Sequence, residues 1–301
     1  MADMLRNNKL PYFLSVLTAA TLWGFMGLFR RVLGNAGVES AGMIVLRCGT
    51  AAMLFLVTVL LRNPSALKVR LKDLWCFLGT GICSMLFFTY CYFRAIELMS
   101  LSVSAILLYT APVFVVLLSA VLFDEPLGRK KLIAVGVAFV GCCFVSGIGQ
   151  GTAVTAVGVL FGLGAGIGYA LYSIFAKFAI DRGYNNLTIN LYTHGFAATG
   201  ATLLWGAKDP LMIAVSSSEL MAWTLAMGAL TCFIPYLLYT YSLRGLEAGK
   251  ASVYANVEPV VATLVGVTVF HEILTVGAIL GMVLILSAVL MLNKESNKNA
   301  Q

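Results

Sequence analysis

With 301 residues, of which 60% are hydrophobic and 11% charged, and a mean hydropathy of +0.93, this chain is not an ordinary soluble domain, since such domains carry roughly 25% charged residues. A bilayer core of about 30 Å takes roughly 20 apolar residues per helix, so the length accommodates about ten spans joined by short loops and excludes an appended soluble domain. The net charge of +7 does not point to nucleic acid, because the basic residues stand singly or in small groups between apolar runs.

Apolar runs set against polar breaks predict ten helices, at about 11–29, 41–61, 74–96, 102–123, 131–148, 156–178, 187–206, 221–243, 250–270 and 275–292. Arg6 and Lys9 ahead of the first run resemble the start of a signal peptide. The run continues past Trp23 to Phe29 without a cleavage pattern, so an uncleaved first span is expected. All seven cysteines lie within apolar runs and their number is odd, which suits reduced packing residues rather than a disulfide framework. One set of alternate helix ends carries fifteen Lys and Arg residues, including Lys68, Lys130 and Lys131, and the other set only Arg30, Arg31, Arg94 and Lys208. The positive-inside rule then places both termini in the cytoplasm and the chain in the cytoplasmic membrane as a multi-pass protein.

The stretch SVSAILLYTAPVFVVLLSAVLFDE from Ser102 returns as ASVYANVEPVVATLVGVTVFHE from Ala251, with Pro112, Phe123 and Glu125 each 147 positions before Pro259, Phe270 and Glu272. Arg47 stands in the same relation to His194, and Trp23-Gly24 followed by Arg31 parallels Tyr169-Ala170 followed by Lys177. These matches divide the chain into two five-helix repeats, residues 1–150 and 151–301. Because five is odd, the second copy must enter the membrane with opposite polarity. The expected fold is therefore an all-α integral membrane protein of ten transmembrane helices, two inverted repeats around a central cavity.

Trp23-Gly24, Arg47, PVFVVLLSAVLFDEPL from Pro112 to Leu127 and EPVVATLVGVTVFHEIL from Glu258 to Leu274 together resemble the drug/metabolite transporter superfamily, in particular its EamA-type members. The resemblance covers nearly the whole chain and implies movement of small metabolites across the bacterial cytoplasmic membrane, often outward. His194 in place of a second arginine departs from strict repetition, so the polar roles in helices 2 and 7 are expected to differ.

The residues that could carry transport follow from their cost in lipid. A carboxylate at a helix centre costs about 3 kcal/mol, so Glu258 should face a wet cavity, a partner or a proton. It could attract an ammonium group or exchange a proton; a structural carboxylate capping amides freed by the neighbouring proline is the alternative. Pro112 and Pro259 should each loosen a helix near its middle and free carbonyls there. Trp23, Tyr90, Tyr109, Tyr169, Tyr172, Tyr236, Tyr239 and Tyr254 fall near predicted helix centres, with Asn256 beside them, whereas Trp and Tyr in a simple bundle prefer the interfaces. As a set they are candidate lining of a substrate cavity; singly, each could equally be core packing. Arg47 could meet a substrate carboxylate or a gate acid, and both it and His194 could instead bond helix carbonyls. Gly277 and Gly281 suit close helix packing, internal or in a dimer.

An intramembrane enzyme is disfavoured: His271-Glu272 begins HExxH but the fifth position is Thr275, so a zinc pair is missing, and GLEAGK from Gly245 is too short for a phosphate loop. No cofactor or metal is expected. The substrate reading is an amino acid or similar amphipathic metabolite moved outward by alternating access. Choline or another amine moved inward is the alternative, and a passive channel a remoter one. Proton coupling and the choice between monomer and homodimer stay open.

Overall fold

The computed structural model of the chain describes residues 9–147 and 154–298. The expected boundary between repeats at 150 and 151, and both termini, lie outside the described residues. Among those residues the fold is entirely helical. Its long segments are α1 (Leu10–Asn35), α2 (Ser40–Arg62), α3 (Leu71–Leu98), α4 (Leu101–Leu108, then Ala111–Phe123), α5 (Arg129–Val145), α6 (Ala156–Asp181), α7 (Asn186–Trp205), α8 (Ser218–Ser242), α9 (Ala248–Ala255, then Val257–Phe270) and α10 (Val276–Lys298). Eight of them are long and apolar enough to cross a membrane. The other two are α5, at 17 residues, and α7, whose polar side chains at Thr188, Asn190, Thr193 and His194 are all buried. Helices suit lipid because they satisfy their own backbone groups. Side chains of Ser100, Thr155, Asn185 and Ser217 accept from amides at the starts of α4, α6, α7 and α8.

The two expected proline kinks are complete breaks. Leu108 ends the first half of α4 and Ala255 the first half of α9. Pro112 and Pro259 stand in the first turn of the following halves, where a missing N–H leaves no hydrogen bond unmade. Both second halves close in the same way, with Asp124 (φ 53°) and His271 (φ 55°) in the left-handed conformation. The next amide then turns back, Glu125 N–H to Ser119 O at 3.3 Å and Glu272 N–H to Gly266 O at 3.1 Å. Pro235 follows a widened π-helical stretch at Ala229–Phe233 in α8, and α3 carries its own at Gly79–Leu86, overlapping the equivalent positions.

Contacts between α5 and α10 fix the relative direction of the copies. A Cβ added at Gly141 would touch Ile285, one at Gly281 would touch Val145, and the one near Phe144 belongs to Gly277, so α10 descends where α5 ascends. A second pair of contacts repeats at the 147-residue offset: Arg31 lies 3.8 Å over the Phe270 ring, and the Phe178 ring sits 4.7 Å from that of Phe123. This corrects the expected equivalence of Arg31 with Lys177. Phe178 occupies that place, and Lys177 turns instead to Asp181 at 3.5 Å.

The glycine face of α10 is spent inside the protein. A Cβ at Gly281 would lie 2.5 Å from the Gly141 carbonyl oxygen, which is backbone and cannot swing aside. Gly281→Val is therefore expected to force α5 and α10 apart and to lower thermal stability in detergent by about 1–3 kcal/mol. Gly277→Val, whose nearest contact is 3.8 Å away, is expected to lower it less. Equal melting shifts for the two would contradict this packing.

Candidate functional site

Helices α1, α2, α3, α6, α8 and α9 converge on a cavity near the chain's mid-depth. One chamber, of about 60 Å³, is lined by Trp23, Met26, Arg47, Phe88, Tyr169, Thr231, Tyr236 and Glu258. A narrow extension of about 10 Å³ shares Trp23, Phe88, Tyr169 and Tyr236 and continues past Ser84, Met85, Tyr172, Ser173 and Tyr239. Local structure explains why these side chains meet. The π-helical stretch of α3 offers Ser84 and Met85, and that of α8 offers Thr231, each from a turn wider than an α-turn, a feature often found at functional sites. The Thr231 carbonyl accepts from the Trp23 indole N–H at 3.1 Å, which fixes the ring across the cavity wall. The break in α9 places Glu258 in a first helical turn, where the helix dipole favours a negative charge.

Aromatic contacts set the walls. Trp23 packs at 5.2 Å from Tyr236 and 5.4 Å from Tyr239, and Tyr172 lies edge-on to Tyr236 at 4.9 Å. Opposite, Phe88 meets Tyr169 edge-on at 5.5 Å. Tyr172 hydroxyl bonds Asn190 Oδ1 at 2.9 Å and pairs with the Thr240 hydroxyl at 2.7 Å, while Tyr239 pairs with Ser173 at 2.8 Å. The hydroxyls of Tyr172 and Tyr239 thus have partners, and those partners hold the rings.

The polar pole of the cavity is two-signed. Arg47 reaches Met26 Sδ at 3.9 Å and Met85 Sδ at 3.7 Å, weak acceptors both, and its Nε is buried without a hydrogen-bond partner among the described residues. Tyr169 and Arg47 face the Glu258 carboxylate, with Tyr92, Tyr109 and Cys142 also near it. Arg47, expected as a gating or supporting residue, is a wall of the cavity itself. His194 is fully buried beside it, with Nδ1 2.8 Å from the Asn190 carbonyl oxygen and its ring packed on Phe55 and Tyr236.

Three expected lining residues stand elsewhere. Tyr90 is 43% exposed, leans on Phe161 and lines a different crevice with Arg30, Glu39, Arg94 and Glu97, which corrects its placement: a helix-central tyrosine can turn away from the central cavity. Tyr109 packs with Cys142, Val260 and Ile285, behind the wall that Glu258 and Tyr169 form and close to both. Tyr254 is buried edge-on to Phe13 at 4.9 Å. Asn256, at the break of α9, is buried, with no partner for Nδ2 among the described residues. Sequence reasoning passed over Met26, Ser84, Met85, Phe88, Ser173 and Thr231, all of residue types common in any apolar helix.

The end of the bundle nearest Tyr12 is closed by charge. Glu125 accepts from the amides of Ala248 at 2.7 Å and Gly249 at 3.2 Å. Lys131 lies 3.7 Å from Glu125 and also pairs with Glu247, which holds Lys250 at 2.8 Å. Burial pushes the Glu247 carboxyl up, but the hydrogen bonds from Lys131 and Lys250 outweigh it and leave it below its ordinary value. A depressed carboxyl contributes stability that is present above the unfolded value of about 4.3 and is lost as pH falls through the folded one. Wild-type melting in detergent is therefore expected to drop on acidification below about pH 4 more than that of Glu247→Gln; parallel curves would contradict this role.

Comparison with known proteins decides what such a bundle is. The sequence profile of the EamA-like transporter family matches residues 10–147 and again residues 156–294. The chain belongs to the EamA-like transporter family. It is 29% identical over 204 residues to an uncharacterized transporter of Archaeoglobus fulgidus, covering 68% of this chain and 71% of that one. It is also 23% identical to the uncharacterized transporter YwfM of Bacillus subtilis over 95% of both chains. A solved crystal structure shares the fold with a TM-score of 0.79 at 17% identity, over 96% of this chain and 99% of that one. The protein is a multi-pass membrane transporter of this family, and the cavity is its candidate substrate site.

Proposed function

We propose that this transporter moves small zwitterionic metabolites, amino acids or close relatives, outward by alternating access. The observation that carries the reading is the opposition of Arg47 and Glu258 on one aromatic-walled cavity. A guanidinium recognises a carboxylate through paired N–H donors, and a carboxylate attracts an ammonium. The faces of Trp23, Tyr169 and Tyr236 suit the apolar remainder and add cation–π attraction of about 0.5–2 kcal/mol for an ammonium. A quaternary amine such as choline would use Glu258 and the rings but would meet Arg47 as a fixed like charge. Export is the direction that the family resemblance implies.

The test is exchange in liposomes. Vesicles loaded with unlabelled amino acid are expected to accumulate labelled amino acid in a saturable manner, with amines and sugars competing poorly. Linear flux without exchange would indicate a channel and sink the reading. An imposed proton gradient, applied in the same vesicles, shows whether Glu258 exchanges a proton as part of the cycle.

A further inference from the structure

The two repeats end their broken helices alike but use the carboxylate that follows in different ways. Glu125 reaches across to the other repeat and caps the start of α9 through the Ala248 and Gly249 amides, with its side chain 8% exposed. Its equivalent, Glu272, also reaches the other repeat but caps no helix start there. It pairs with Arg31, and both side chains are 51% exposed. Packing follows the same asymmetry. The second half of α4 lies against the first half of α9, whereas no comparable packing among the described residues joins the first half of α4 to the second half of α9. At the 147-residue offset, the amides corresponding to Ala248 and Gly249 belong to Leu101 and Ser102, at the start of α4.

We infer that Glu125 and Glu272 are alternating latches: each carboxylate caps the first turn of the opposite repeat's broken helix in one state of the cycle and releases it in the other. The inference rests on the alternating-access reading. In the state described here the Glu125 end is latched and the Glu272 end is released. The exchange swaps one pair of helix-capping bonds for another, so no charge is left buried and unpaired in either state. The ends are nevertheless unequal. Lys131 and Glu247, which brace Glu125, have Ala278 and Ser100 as equivalents, so only one latch carries an ionic brace. The resting equilibrium accordingly favours the Glu125-latched state.

Hydrogen exchange read by mass spectrometry on the full chain in lipid nanodiscs tests this at both ends together. Lys131→Ala and, separately, Glu125→Gln are expected to speed amide exchange over residues 245–256 on the order of tenfold and to slow it reciprocally over 100–108. Ser100→Glu with Ala278→Lys, which builds the missing brace, is expected to give the same two changes by strengthening the other latch. Glu272→Gln is expected to leave the resting pattern intact while slowing exchange transport in liposomes. Faster exchange at 245–256 with no slowing at 100–108 would mark Glu125 as a local cap only and overturn the proposal, as would failure of the double variant to shift either end while its melting temperature holds. Reciprocal shifts in a protein that shows no saturable transport would support the latches while sinking the carrier reading, so the two can fail separately.

Discussion

Glu258→Gln is expected to abolish amino acid exchange while leaving the melting temperature within a few degrees of wild type. The substitution keeps the size and hydrogen-bonding capacity of the side chain and removes only its charge. A hydrogen bond to a charged group contributes about 1.5–3 kcal/mol, so substrate affinity should fall roughly 10- to 150-fold, enough to remove transport at ordinary concentrations. Folding should not suffer, because a neutral amide is easier to hold at mid-membrane depth than a carboxylate. The second half of α9, which begins beside Asn256, is secured by its own backbone and by Pro259, not by this side chain. A purely structural carboxylate would give the opposite pattern, with stability lost and affinity of the folded fraction unchanged. Thermal shift and exchange measured on one preparation therefore separate the two roles.

Much of this architecture is legible in the sequence because lipid imposes strong, local rules. Apolar length gives the helices, and spaced Pro, Phe and Glu residues reveal the duplication of α4 and α9. Those signals survive because each answers a backbone requirement: a proline where a helix restarts, a glutamate where one ends. The cavity is legible only in part. Glu258, Arg47, Trp23, Tyr169 and Tyr236 stand out because charge or a central aromatic is costly or unusual in such helices. Met26, Met85 and Phe88 line the same space but look like any lipid-facing residue, and only the rotation of each helix distinguishes them. That rotation also misplaces Tyr90, which a period of 3.6 residues turns outward although its depth is right. The widened turns at Gly79–Leu86 and Ala229–Phe233 shift the register midway along α3 and α8, so a regular helical wheel cannot find Ser84 or Thr231. Lys131 was visible only as one of a row of three basic residues. Its burial against Glu125 and Glu247 depends on the other repeat, 116 positions away at Glu247.

Arg47→Met is expected to separate amines from amino acids. Methionine keeps much of the apolar stem that Arg47 lays against Met26 and Met85 and deletes the guanidinium. With no cation to meet it, a substrate carboxylate would be desolvated in the cavity unpaired, and amino acid binding should fall about 30-fold or more, by the same 1.5–3 kcal/mol argument applied at the other pole. An amine without a carboxylate loses nothing by the change and gains the removal of a repelling charge, so its binding to Glu258 should hold or strengthen. The direction of the amine response is what decides the matter. If the arginine only supports the helices, both ligands weaken together; if it reads the carboxylate, their affinities move apart. Arg47→Lys sharpens the comparison. A lysine restores the charge without the planar pair of donors, so amino acid binding should recover in part while amines are again repelled.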